Sequence, residues 1–424
     1  MELRKGYKQT ELGIIPEDWE VKTFANFADR NVKWSITGGP FGSNLKTSDY
    51  IDDGIQIVQL QNIGDGIFNN DSKVYTSIEK ANELIGCNIF PGDIILSKMG
   101  DPVARACFIP STEKRYLMAS DGIRLVVNEK EFSKRFVHDY INSVYFRKRA
   151  FEVSNGSTRL RIGLPELKRI AVIKPTKAEQ TAIATALSDA DAYIQSLEKL
   201  IEKKRNIKQG AMQELLKPKE GWVVKKLNEL LLNVIDNRGK TPPFEDKADI
   251  ELLETNAISF TLKYPDYSKV TKYIKTNVYN TWFRDHPKLN DILVSTVGEY
   301  SGASAIMQND QGTIAQNLIA LRLNRNLIDS EFVFYWFRSR LFNSQLKAVM
   351  MNQAQPSLRV PWLLNFNIAF PEKLELQKSI AKILNDIDSE INSLDLVLSK
   401  YRQLKQGMMQ ELLTGKIRLV EGIY

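Results

Sequence analysis

Cysteine and histidine are almost absent from the 424 residues: two of each occur, Cys87 and Cys107, His138 and His286. Four such residues, scattered, supply neither a disulfide framework nor a zinc site of the usual spacing. They also leave hydrolytic chemistry without an obvious general base, and His138 lies in an apolar helical stretch that predicts packing. No run approaches the ~18 apolar residues of a membrane span, and "MELRKGYKQTELGIIPEDW" at the start lacks the apolar core of a signal peptide. A reducing cytoplasm is the expected location.

Catalytic motifs are missing too. "GGPFGSN" at 38–44 has the glycines of a phosphate loop without the Lys-Ser/Thr pair or the strand-turn-helix setting, so it predicts a turn. "TPPF" at 241–244 lacks the Asp or Asn that opens the adenine methyltransferase motif, and no glycine-rich cofactor loop accompanies it. "EVK" at 20–22 and "EDK" at 245–247 have no upstream carboxylate partner for a nuclease metal.

What is present is a soluble globular composition, with 43% hydrophobic and 26% charged residues. Its length implies more than one domain. Lys and Arg outnumber Asp and Glu by 58 to 51, a net charge of +7 that suits a polyanionic partner without requiring one.

The chain also repeats itself. "KQGAMQELL" at 208–216 returns as "KQGMMQELL" at 405–413, and the match extends without a gap back to Gln180 and Gln377 at an offset of 197 residues. Within each copy the apolar positions step by four and three: Ile183, Leu187, Ala190, Ile194, Leu197, Ile201, then Ile380, Leu384, Ile387, Ile391, Leu394, Leu398. This heptad seam, free of proline, predicts two long helices of ~55 Å, ended near Pro218 and Gly415. Weaker echoes surround them, "GDIILSKMG" with "NDILVSTVG" and "FVHDYINS" with "FVFYWFRS".

The expected order is globular domain 1–175, helix 176–217, globular domain 218–371, helix and tail 372–424. Short β-like runs such as "IQIVQL" and "NLIALRL" predict α+β domains with a twisted, mostly antiparallel sheet. If the helices are antiparallel, the second domain bridges adjacent ends; a parallel pair would make it span the whole helix. Antiparallel pairing predicts a pseudo-symmetric rod with a domain at each end and neighbouring chain termini.

Polar loops at equivalent places are candidates for reading DNA. "SNGSTRLR" at 154–161 offers Asn155, Ser157, Thr158, Arg159 and Arg161; "NQAQPSLR" at 352–359 offers Gln353, Gln355, Ser357 and Arg359. Their amide and guanidinium groups match base edges, and hydroxyls and lysines suit phosphate. Lys33, Ser43 and Lys46 around the glycine-rich turn, and Arg238, Lys240 and Thr241 in the proline-stiffened loop, complete the set.

With "IPEDWEV" near the start, "KQGMMQELLTGKIRL" near the end and Pro175, Glu179 and Gln180 leading into the first helix, the chain resembles the specificity subunit of type I restriction-modification systems. The resemblance implies a non-enzymatic subunit whose two target-recognition domains each read half of a bipartite asymmetric site in double-stranded DNA, the helices setting the spacer. It implies docking of two modification subunits, for which Lys208, Gln209, Met212, Gln213, Lys405, Gln406, Met409 and Gln410 are candidates, and recruitment of restriction subunits. No cofactor is expected in this chain; S-adenosylmethionine, ATP and Mg are expected in the assembly. A coiled-coil DNA-binding or adaptor protein without a methyltransferase partner is the alternative.

Overall fold

The computed structural model describes residues 5–156, 159–237, 239, 241–351 and 357–420. It divides into two compact units: residues 1–197 with 397–424, and residues 198–396. The division falls in mid-helix, so each unit holds one globular part and one half of each long helix.

In the first unit the strand Glu20–Thr23 pairs antiparallel with Ala171–Lys174, joining the start of the globular part to its end. Between them lies a four-stranded antiparallel sheet, ordered Ala106–Phe108, Ile94–Ser97, Gly122–Leu125, Ile36–Gly38. The run "IIL" explains its central strand. Ile94 and Leu96 enter one apolar cluster with Phe24, Phe27 and Phe136, while Ile95 enters another with Cys107, Tyr116 and Met118. A strand covered on both faces reads as continuous apolar sequence instead of alternating.

A second sheet of five short strands is mixed: Tyr116–Met118 runs parallel to Ile55–Val58, and its other pairs are antiparallel, in keeping with a mostly antiparallel domain. Two helices, Lys134–Ile141 and Val144–Glu152, fill the core from the other side. Ser133 and Ser143 cap them by accepting from Phe136 N and Phe146 N.

The second unit repeats this plan. Trp222–Lys226 pairs with Asn367–Pro371, and its four-stranded sheet runs Leu231–Ile235, Leu318–Leu323, Ile292–Ser295, Ser304–Ile306. Again one pair is parallel, Ile250–Leu253 with Thr313–Ile314. Helices Ser330–Phe337 and Arg340–Met350 are capped by Asp329 and Ser339. Each domain is therefore α+β with several small sheets.

The long helices are Lys177–Leu215 and Leu374–Leu412, 39 residues each and about 58 Å long. Buried glutamines fix their first turns. Gln180 Oε1 accepts from Ser133 N at 2.8 Å while Nε2 donates to Pro175 O at 2.9 Å and Glu131 O at 3.2 Å. Gln377 does the same with Asp329 N, Pro371 O and Leu327 O at 2.8, 2.7 and 3.1 Å.

Within each unit the helix halves are antiparallel. In the first, Asp191 meets Lys405 at 2.5 Å and Tyr193 meets Tyr401 with ring centroids 4.4 Å apart. In the second, Lys204 meets Glu390 at 2.6 Å and Lys208 meets Asp388 at 2.5 Å. The seam does double duty: Ile183 and Leu187 join the first domain's core with Leu412 and Leu413, and Ile380 and Leu384 join the second's with Met212 and Leu216. The chain's two ends meet in the first unit, where Tyr7 Oη donates to Gly415 O at 3.0 Å. Among the described residues no helix is long and apolar enough to cross a membrane.

Candidate DNA and partner interfaces

The first candidate loop is zipped to the segment that follows the central strand. Asn155 and Arg161 exchange backbone hydrogen bonds at 2.9 and 2.8 Å, and Ile162 N donates to Lys98 O at 2.9 Å. The zipping leaves Asn155, Arg159 and Arg161 exposed at the rim of a cavity of about 490 Å³ that also touches Met99 and Glu166. Arg161 pairs with Asp121. Burial, with Arg161 beside it, holds the Lys98 ammonium below its ordinary pKa, and Lys98 donates to Ser120 O at 3.0 Å.

The second domain zips its loop in the same way. Leu358 N donates to Thr296 O at 2.7 Å and Ser357 pairs with Val297. Ser357 is half-buried; Arg359 is exposed, its guanidinium 4.8 Å from the Trp362 ring. Ser157, Thr158, Arg238, Lys240, Gln353 and Gln355 lie outside the described residues.

The remaining described DNA candidates flank the edge strands: Lys33 before Ile36–Gly38, Ser43 and Lys46 after it, and Thr241 after Leu231–Ile235. Lys33 is exposed and stacks its ammonium 4.2 Å from the Trp34 ring; Ser43 and Lys46 are exposed. The glycine-rich segment is a turn, closed by Asn44 N donating to Phe41 O at 2.9 Å, and only a three-residue 3-10 turn follows it. No helix N-terminus stands there to cradle phosphate. Thr241 is exposed and accepts from Gln316 Nε2 at 3.2 Å.

Both histidines are structural. His138 is buried, stacked 4.5 Å from Phe108 and hydrogen-bonded to Asp139 and Asn142. His286 stacks 3.5 Å from Tyr279 and bonds Thr313 Oγ1 and Tyr279 O; burial lowers its pKa against the opposing pull of the Tyr279 carbonyl and Asp285. Glu20 of "EVK" is engaged by Lys22 on the same strand, at 2.5 Å.

The duplicated nonapeptides line equivalent grooves. In the first unit Gln406, Met409 and Gln410 face Val144, Tyr145 and Lys148 across about 650 Å³; in the second Gln209, Met212 and Gln213 face Arg340 and Leu341 across about 250 Å³. Gln209, Gln406 and Gln410 are exposed, and Gln213 and Met409 half-buried. Three of the candidates are otherwise engaged. Met212 is only 6% exposed in the second domain's core, and Lys208 and Lys405 spend their charges on Asp388 and Asp191.

Sequence reasoning passed over a second apolar row. Leu200 and Ile207 follow Tyr193 at seven-residue steps on the first helix and are 38 and 46% exposed, while Tyr193, 43% exposed, is partly covered by Tyr401. On the second, Ile383, Val397 and Leu404 are 47, 36 and 53% exposed, with Glu390 filling the missing step. The seven-residue spacing was available to find it; only burial distinguishes the covered row from the uncovered one.

A family model described as "Type I restriction modification DNA specificity domain" matches residues 16–208 and 219–396. The type I restriction enzyme MjaVIII specificity subunit of Methanocaldococcus jannaschii is 23% identical over 435 residues, covering 96% of this chain and 94% of that one. The EcoBI specificity subunit of Escherichia coli is 22% identical over 416 residues, covering 89% and 83%. The fold is shared with the S subunit of a type I restriction-modification system from M. genitalium, at a TM-score of 0.54 and 17% identity over 97% of this chain and 98% of that one. A chain from a structural study of complex assembly in the type I R-M system aligns at 0.62 and 12% identity, over 95% and 99%.

Proposed function

The chain belongs to the type I restriction-modification DNA specificity family, and from that premise we propose how its parts divide the work of a specificity subunit. Each domain reads one half of a bipartite, asymmetric target in double-stranded DNA. The long helices set the unread spacer and dock two modification subunits, restriction subunits joining that assembly. This chain makes and breaks no bond; methylation and cleavage belong to the partner subunits, with S-adenosylmethionine, ATP and Mg as their cofactors, in the cytoplasm.

One observation carries the reading: an identical frame presents different loops. Gln180 and Gln377 make matching sets of three hydrogen bonds, yet the loops zipped beside the central strands present Arg159 and Arg161 in one domain and Ser357 and Arg359 in the other. A shared scaffold with unlike reading surfaces fits an asymmetric target. The uncovered apolar rows support docking, because an exposed seven-residue repeat is the surface a further helix needs. Two equivalent copies of it suit two copies of one partner.

Adenine-methylation sequencing of DNA modified by the assembled complex tests the division of labour. Inserting one heptad into both helices should lengthen the spacer and leave both half-sites intact. Exchanging residues 218–371 for another domain of the family should change one half-site only; a change in both would refute independent reading.

A further inference from the structure

Phe41 is 83% exposed, more than any other large apolar side chain among the described residues. Its stem is held tightly. The strand Ile36–Gly38 pairs with Gly122–Leu125, Gly39 N donates to Gly122 O at 2.9 Å, and Pro40 is buried. Gly39 approaches the opposite strand so closely that a Cβ there would lie 1.8 Å from Ala119 O. The turn thus holds an aromatic ring outward on a fixed base.

Cations lie beside that base. A Cβ on Gly38 would lie 2.7 Å from Lys98 Nζ, and Lys46 is exposed just beyond the turn. Gly42, Ser43 and Asn44, next to it in the chain, are exposed and not apolar. A lone ring among cations has the chemistry of a side chain that stacks on bases while its neighbours hold phosphates.

The second domain also presents an aromatic after proline beyond its edge strand, here after an exposed proline in place of the tight Gly-Pro base. Its edge strand, Leu231–Ile235, pairs with Leu318–Leu323 and leads to Pro243 and Phe244. Phe244 is 44% exposed, with Lys272 Nζ 4.7 Å from its ring centroid.

We propose that Phe41 and Phe244 are base-stacking wedges, one per domain, each partly inserted between base pairs of the half-site its domain reads. The proposal rests on the reading of the two domains as DNA readers. It adds a contact that every base offers, so it contributes affinity and local unstacking more than sequence choice.

The test uses the complex with its modification subunits and duplexes carrying its methylated target, with 2-aminopurine placed in turn at positions other than the methylated adenines. Wild type should raise fluorescence at one step in each half-site. Phe41→Ala should abolish the rise in one half-site, Phe244→Ala in the other, each weakening binding roughly tenfold or more. Phe41→Trp and Ile67→Ala, the latter removing another exposed apolar side chain of the same domain, should retain the signal, and the methylated sequence should stay the same. A Phe41→Ala complex with wild-type affinity and fluorescence overturns the wedge and leaves the domain reading standing, as does weakened binding without any fluorescence rise in wild type. Absence of sequence-specific binding by wild type overturns both.

Discussion

Arg418 donates through Nε to both carboxylate oxygens of Glu179 at 2.7 Å, across 239 residues of chain. Glu179 is fully buried and also accepts from Trp19 Nε1 at 3.0 Å, while Arg418 reaches Asp18 at 2.9 and 3.0 Å. Burial works against the Arg418 charge, but the hydrogen bonds it donates to Glu179 and Asp18 outweigh it and raise its pKa. At the equivalent positions of the second unit stand Leu376, 48% exposed, and Gly221. There the helix runs on covalently into the next strand; in the first unit this clamp ties the C-terminal segment down instead.

Arg418→Ala should therefore cost about 3 kcal/mol, because it strands a carboxylate without access to water. Glu179→Leu with Arg418→Leu should cost less than Arg418→Ala alone. Urea denaturation of the three chains decides it, and a milder effect in the single variant would contradict a buried clamp.

The two glutamines should be energetically alike. Gln180→Ala or Gln377→Ala leaves one backbone N–H and two carbonyls short of a partner, a loss of about 2–3 kcal/mol each. Since they lie in different units, the losses should add in the double variant. Hydrogen exchange at the first turns of the two helices, following one variant at a time, should report each loss locally.

His286 predicts an acid-sensitive second unit. Its folded pKa is depressed below 6.5 by burial, so its stabilising effect is complete above pH 6.5 and is lost as pH falls through the folded value. Thermal unfolding between pH 7.5 and 5 should weaken with acid, and His286→Gln should flatten that slope. An unchanged slope would assign the acid response to other groups.

The uncovered apolar rows should matter to assembly and hardly at all to folding. Ile207→Lys and Leu404→Lys alter exposed positions, so stability should shift by no more than about 0.5 kcal/mol. Co-purification with modification subunits should nevertheless fall sharply, while isolated DNA binding persists. Retained stoichiometry in both variants would move the docking surface elsewhere.

Much of this architecture was legible in the repeat. Gln180 and Gln377 mark equivalent first turns, the helices end within two or three residues of the expected bounds, and the bridging argument for antiparallel helices agrees with Asp191 against Lys405 and Lys208 against Asp388. What escaped depends on residues far apart in the chain. Nothing local to Glu179 announces Arg418, and no pattern in "VSNGSTRLRIG" shows that Arg161 is claimed by Asp121. The repeat alone marks Met212 as a docking candidate, yet it packs into the second domain's core with Leu216. The parallel strand pairs escaped because a two-residue ladder leaves no periodic trace.

In each domain the incoming and outgoing strands lie side by side, Glu20–Thr23 against Ala171–Lys174 and Trp222–Lys226 against Asn367–Pro371. A segment attached through two adjacent connections can be replaced wholesale where the newcomer keeps the core contacts to the helices and the bonds to Gln180 or Gln377. Recombination between relatives at these paired strands would hand the cell a new address on an old chassis, which makes diversification of host defence a matter of splicing cassettes and spares it the slow remodelling of a core.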